Sequence, residues 1–261
     1  MKTLRLLLVS GVLSYRALFN WIHPTYYVPA MLGGPIFQIL FFAYLGRFSR
    51  LDDDAFFVFG NAIQIVAVAG IFGMVMGVAG ERWAGTLSPL LASPANRAVL
   101  FFGRSLPFLV NGLFVSVCGF AAGWLLLDFR LEASALAPLA LVVLVTAASC
   151  TAFGLAVGSV GLWGREVFVL ANLVYTGMLV VCGVNFPVGR LPAAAQLVGR
   201  VLPVTHGIRS GRALGAGASV GDVLPDIARE AAVGLAYAVV ALALFRFFER
   251  DARRRGTLER I

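Results

Sequence analysis

The 261-residue chain is 60% hydrophobic and 13% charged, with a mean hydropathy of +0.89 and a net charge of +8. Soluble domains carry about 25% charged residues, so there is too little charge here to coat a water-facing surface. A soluble globular enzyme, a disordered chain and a disulfide-stapled secreted domain are excluded, and apolar blocks of helical length point to an all-α integral membrane protein.

Residues 1–24 come before the first apolar block. Over 2–22, Lys2, Arg5, Arg16 and Asn20 fall within about 60° of one another at 100° per residue, with Leu, Val and Phe over much of the rest. This predicts an amphipathic helix lying in the headgroup interface before the chain turns at Pro24. A crossing helix needs about 20 mostly apolar residues. Six transmembrane spans are predicted: Thr25–Leu45, Phe56–Gly80, Leu106–Leu127, Ala135–Val160, Val167–Val184 and Ala231–Phe248. The last two are the shortest, and Arg246 near the end of the sixth reaches the headgroups by snorkelling. Continuous runs, rather than alternation, exclude barrel strands. The first block is not read as a cleaved signal peptide, because it is about twice the usual length and lacks a small-x-small site. Residues 249–261 form a basic tail.

With six spans both termini share one side, which holds 13 of the 21 Lys and Arg; the other side holds eight Arg and eight acids. The positive-inside bias makes the terminus side cytoplasmic. The basic pI of about 10.1 therefore reports membrane orientation rather than nucleic-acid binding.

The only Lys is Lys2, so no P-loop lysine is present. Cys118, Cys150 and Cys182 fall inside apolar blocks without metal-type spacing and read as small hydrophobes, so no metal site or cofactor is expected. No inverted internal repeat is visible. Gly73-x-x-x-Gly77 and Gly154-x-x-x-Gly158 allow close helix approach, either within the chain or at a dimer seam.

Two connecting segments are distinctive. Residues 81–94 open with Glu81 and Arg82, then carry Leu87, Leu90 and Leu91 at helical spacing and end at Pro94. A short apolar-faced helix outside the spans needs a cover, either the bilayer or a docked partner. The stretch 185–212 is interrupted at Phe186-Pro187, Leu191-Pro192 and Leu202-Pro203, around an apolar run too short to span. Such a broken hydrophobic segment predicts short re-entrant helices, whose irregular backbone must face protein or a water-lined cavity.

These features resemble the permease, the membrane-spanning subunit, of ABC-2-type ABC transporters of the bacterial drug- and antibiotic-exporter kind. The strongest match is Glu81-Arg82-x-x-Gly85-Thr86-Leu87-x-x-Leu90-Leu91-x-x-Pro94, similar to the family's E-R-x-x-G-T-L-E-x-L-L-x-T-P loop; Ser88 and Ser93 replace the usual acid and Thr. A weaker match is Phe186-Pro187, Leu191-Pro192 and Leu202-Pro203-x-Thr205-His206, where His206 stands in place of a common Tyr.

The resemblance implies that Glu81, Arg82, Gly85, Thr86, Leu87, Leu90, Leu91 and Pro94 form a coupling helix docked on a separate ABC ATPase subunit. It implies that Phe186, Pro187, Leu191, Pro192, Pro203, Thr205 and His206 belong to an outer gate. A second permease would complete the conduit in the bacterial inner membrane, with both termini cytoplasmic. Polar residues inside spans are functional suspects, so Asn61, Gln64, Asn111 and Asn172 are candidates for the path or the dimer seam. The expected cargo is a hydrophobic or amphipathic small molecule; a polysaccharide or lipid-linked glycan exporter is the alternative, with Trp21, Trp124 and Trp163 as candidate aromatic lining. A stand-alone secondary transporter would need an ionisable group within a span, and the predicted spans contain none but Arg246. His23 and His206 lie on opposite sides and no catalytic constellation shares a depth, so no catalytic residue is assigned.

Overall fold

The computed structural model describes residues 9–15, 25, 29–49, 53–83, 97–127, 129–161 and 166–255. Among the described residues there is no strand. A π-helical turn, Pro29–Gly33, leads into α1 (Gly34–Ser49). Helix α2 (Asp54–Ala67) passes through a second π turn, Val68–Phe72, into α3 (Gly73–Trp83). Then come α4 (Arg97–Leu126), α5 (Ala133–Val160) and α6 (Val167–Val181). A 3-10 turn, Val188–Arg190, precedes α7 (Ala193–Val201), α8 (Thr205–Gly215) and the long α9 (Val220–Arg255).

Among the described residues four helical stretches are long and apolar enough to cross a membrane: Asp54–Val78, Phe102–Leu126, Ala133–Val160 and Val220–Leu244. They correspond to the expected second, third, fourth and sixth spans. The expected first corresponds to the π turn and α1 together, 21 residues from Pro29 to Ser49, and the expected fifth to the 15-residue α6. At 1.5 Å per residue α6 covers about 22 Å, less than the roughly 30 Å hydrocarbon core. Helix α6 stops where Gly183 adopts φ +78°, the left-handed position that ends many helices.

The last helix departs most from its expected limits. It begins at Val220 rather than Ala231, because Asp222 in its first turn folds back to accept from Ser219. The Ser219 N–H and Oγ–H both donate to Asp222 Oδ2, at 3.0 and 2.7 Å. Glu230, one of the eight acids counted outside the expected spans on the outer side, therefore lies within the candidate span, 1% exposed.

Helix α2 and the second half of α5 are buried on nearly every face and form the centre, while α4 packs on α2 and α9 on α5. The approach depends on glycine. A Cβ at Gly154 would collide with Gly70 O, and one at Gly158 would sit 3.1 Å from Met74 O. Gly73 packs on the Phe108 ring of α4. Both small-residue motifs are thus used within the chain. Helix α9 follows α5 in the same manner, with Gly234 against the Ser149 backbone. Edge-to-face stacking of Phe59 on Phe120 and Phe129, with centroids 5.7 and 5.1 Å apart, joins α2, α4 and the turn after α4.

The joint between α1 and α2 is electrostatic. Arg47 in the last turn of α1 makes a forked ion pair with Asp54 in the first turn of α2, with Nε to Oδ1 at 2.8 Å. Each charge also opposes the dipole of its own helix end. Of the predicted N-terminal amphipathic helix, residues 9–15 are described and are helical; Gly11 lies against Gly103 O of α4. That carbonyl has no helical donor, because residue 107 is proline.

Candidate functional site

The short helices after α6 are held by side chains from other elements. Arg212 of α8 is the largest contributor. Its Nη1 donates to Gly183 O at 2.7 Å, and its Nη2 to Val184 O at 2.8 Å and Phe56 O at 2.9 Å. The guanidinium carbon also lies 3.4 Å from the centroid of the Phe56 ring. One cation therefore satisfies the carbonyls left open where α6 ends and ties them to the start of α2. Gly60 makes room, since a Cβ there would collide with Val184 O.

Glu230 of α9 anchors the other end of α8. Its Oε1 accepts the Val204 N–H at 2.8 Å and its Oε2 the Gly207 N–H at 3.3 Å. Val204 is the only non-glycine residue with positive φ (86°) among the described residues. A β-branched side chain is strained there, and Glu230 holds that amide. A carboxylate at a helix N-terminus faces unpaired N–H groups and the positive end of the dipole. Ser149 Oγ–H donates to the Glu230 carbonyl at 3.3 Å, and Tyr237 Oη–H donates to Val201 O at 3.0 Å. Helix α9 thus grips the end of α7 and the start of α8 while packed on α5.

The expected gate residues divide between this buried hinge and its surface. Pro203 and Thr205 are buried; Thr205 Oγ1–H donates to Gly199 O at 2.5 Å. Phe186 and Pro192 are exposed, and Pro187 and Leu191 are half-buried around the 3-10 turn. His206 sits partly covered, with Nε2 3.2 Å from Arg200 O and Nδ1 3.8 Å from Asp226 Oδ1. Asp226 also pairs with Arg209 at 3.1 Å and Arg229 at 2.6 Å.

The intraspan polar residues do not form one surface. Asn61 is fully buried in a knot: it accepts from Gln38 Nε2 at 2.9 Å and donates to Asn185 Oδ1 at 2.8 Å and Phe57 O at 2.9 Å. Gln64, one turn on, is also 0% exposed, and neither amide atom has a hydrogen-bond partner among the described residues. Asn172 is exposed on α6 with a 3.4 Å bond to Phe168 O, and Asn111 is half-buried on α4. Tyr175 Oη–H reaches Gln38 Oε1 at 3.4 Å, extending the knot to α6.

Glu81 and Arg82 lie on the last turn of α3, whereas Gly85, Thr86, Leu87, Leu90, Leu91 and Pro94 fall outside the described residues. Of the three tryptophans considered as lining, Trp124 is exposed on α4, and Trp21 and Trp163 fall outside the described residues. Among the described residues no group of His, Cys, Asp and Glu could hold a metal ion.

Sequence reasoning missed Glu230, Gln38 and Asn185, and counted Arg212 only as a charge. The Ser219-x-x-Asp222 spacing was the available signal for Glu230, since it starts the last helix eleven residues early. The candidate span Val220–Leu244 thus takes in Asp222, Asp226, Arg229 and Glu230, and the buried Glu230 has its carboxylate bonded to backbone.

No match is found among curated proteins or among solved structures. A sequence model of the family described as ABC-2 type transporter matches residues 10–214, from the N-terminal helical stretch to the end of α8. With four apolar membrane-length helices and a match over most of its length, the chain belongs to the ABC-2 type transporter family, as a membrane-embedded transport component.

Proposed function

We propose that the chain is the permease subunit of an ATP-driven exporter, paired with a second permease and driven by separate ATPase subunits. The observation that carries this reading is the family match together with Glu81-Arg82-x-x-Gly85-Thr86-Leu87-x-x-Leu90-Leu91-x-x-Pro94, which starts in the last turn of α3. Six crossings follow if α1 with its preceding π turn spans, and α6 spans by local thinning of the bilayer. The termini and the 81–94 loop then share the cytoplasmic face, and the 185–212 segment lies at the outer face of the bacterial inner membrane.

In this arrangement Leu87, Leu90 and Leu91 bury apolar area in a groove of the ATPase, with Glu81 and Arg82 at its rim. The α2–α3 rod carries the resulting displacement to the centre. The outer helices α7 and α8, held by Arg212 and Glu230, cover the exit. The mostly apolar spans favour a hydrophobic or amphipathic small molecule as cargo.

The test is co-expression with an ABC ATPase encoded beside this chain. Leu90→Asp with Leu91→Asp is expected to abolish co-purification and transport while leaving the permease folded. Full transport and retained ATPase binding by that variant would overturn the docking assignment.

A further inference from the structure

Three consecutive carbonyls at the end of α7 are met by side chains: Gly199 O by Thr205, Arg200 O by His206 and Val201 O by Tyr237. The middle contact differs in kind, because an imidazole gains or loses a charge between pH 5 and 8. The ring stands in the first turn of α8, 12% exposed, and each of its nitrogens faces an acceptor. Nε2 lies 3.2 Å from Arg200 O of α7. Nδ1 is buried, has no hydrogen-bond partner among the described residues, and lies 3.8 Å from Asp226 Oδ1 of α9.

A carbonyl and a carboxylate only accept. A neutral ring carries one proton, so whichever nitrogen holds it, the other turns a lone pair towards an acceptor. The distances put that proton on Nε2, within bonding range of Arg200 O. Nδ1 then faces the carboxylate lone pair to lone pair. The imidazolium alone offers a donor on both sides, and the gap to Asp226 is about 1 Å wider than a charge-assisted bond.

The charges around the ring favour that extra proton. Asp226 is shared with Arg209 of α8 and Arg229 of α9, and α7 contributes Arg200; all three arginines are exposed. Glu230 of α9 rests on the Val204 and Gly207 amides, where its carboxylate offsets the positive end of α8. Both carboxylates are buried, so solvent screens the arginines more than the acids. Tyr237 and Cys182 are engaged with Val201 O and Pro203 O, and Arg212 is turned to the carbonyls after α6. Helix α5 carries no charged residue, and the only one on α2, Asp54, is held by Arg47.

We propose that His206 is a proton-operated clasp at this hinge. Protonation at Nδ1 adds a charge-assisted bond to Asp226 while Nε2–H stays on Arg200 O, so one ring fastens α7 and α8 to α9. The proton forms its bond only in the fastened arrangement. That arrangement therefore gains as pH falls through the imidazole range, near 6.5 for a free ring, and loses the gain above it. The clasp belongs to the three helices alone; its use as an acid-sensitive brake on export rests on the reading that α7 and α8 cover the exit.

Amide exchange over residues 199–212 is followed by mass spectrometry on the full-length chain in detergent, beside His206→Gln, at pH 5.5 and pH 8. Comparing the two chains at one pH removes the intrinsic pH dependence of exchange and any titration common to both. The ratio of variant to wild-type rate should be about three to five times larger at pH 5.5 than at pH 8, the ordinary size of a partly exposed ion pair. The chain has two histidines, so His23→Gln leaves His206 as the single imidazole in a nitrogen-labelled NMR spectrum. At pH 5.5 its Nδ1 should show the signal of a bonded imidazolium, and Asp226→Asn should move that signal towards the free value. Neither readout involves transport or the ATPase, so the clasp and the export reading fail separately. A rate ratio equal at the two pH values, or an Nδ1 signal untouched by Asp226→Asn, overturns the proposal.

Discussion

Removing the Glu230 carboxylate is the sharpest perturbation that the structure offers. Glu230→Ala leaves the Val204 and Gly207 amides without their acceptor, in a region buried against α5 and α9. A hydrogen bond to a charged group contributes about 1.5–3 kcal/mol, and the 3.3 Å bond contributes less than the 2.8 Å one. The carboxylate's favourable interaction with the N-terminus of α8 is worth about 0.3–1 kcal/mol more. Against this stands the desolvation cost of keeping a charge inside, which Ala relieves. A net loss of roughly 2–3 kcal/mol remains, because the orphaned amides outlast the charge. At about 2–4 °C per kcal/mol for chains near this size, the melting temperature of the detergent-solubilised protein should fall by roughly 4–12 °C.

Glu230→Gln should fall between, since one amide oxygen still accepts while the NH₂ group faces a donor. The strained Val204 supplies an internal check. Val204→Gly relieves a left-handed β-branched residue at about 1–2 kcal/mol, less about 0.5–1 kcal/mol of glycine entropy. In the Glu230→Ala background that gain should shrink, because Val204 is then free to leave φ 86°. A double-mutant cycle measured by thermal melting reads the coupling. An unchanged melting temperature for Glu230→Ala, together with strict additivity, would refute the latch.

Three further outcomes follow from the packing. Arg212→Ala should destabilise by about 3 kcal/mol through loss of charge-assisted bonds, and Arg212→Lys should restore less than half, because an ammonium cannot reproduce the planar fork; complete rescue by Lys in thermal melts would contradict the geometry. Gly154→Ala should cost at least about 3 kcal/mol by overpacking against Gly70 O, whereas Gly77→Ala, which meets Phe108 at an ordinary 3.4 Å, should purify normally; like behaviour of the two on size exclusion would count against the close seam. Gln64→Met should raise stability by about 1–2 kcal/mol by removing an unsatisfied buried amide, and a lower melting temperature would mean that this amide has a partner in the assembled transporter.

Much of the helix plan was legible because the second, third and fourth spans are uninterrupted apolar runs of bilayer length. The proline pairs likewise marked the breaks around the short outer helices. The last helix was misjudged because Asp222, Asp226, Arg229 and Glu230 interrupt the hydropathy that a linear window reads, although the first of these starts the helix and the last is buried by it. The fifth span is three residues shorter than expected, because the chain turns at Gly183 although the apolar run continues to Val184. The Asn61–Asn185 pair joins residues 124 positions apart, and no local pattern encodes such a contact. The glycine motifs revealed that helices would touch but not which ones, since a small residue specifies a distance and not a partner.

The 36 residues of α9 make a rod of about 54 Å, nearly twice the thickness of the hydrocarbon core. Its hydrogen bonds to the backbone of the short helices, from Glu230 and Tyr237, lie on either side of the Gly234 seam with α5 and each within about 6 Å of it along the axis. A small tilt about that seam would therefore swing the two tips widely while barely moving the gripped points. Held at its fulcrum, the rod is a brace: it keeps the covering helices in place while its ends are free to sway.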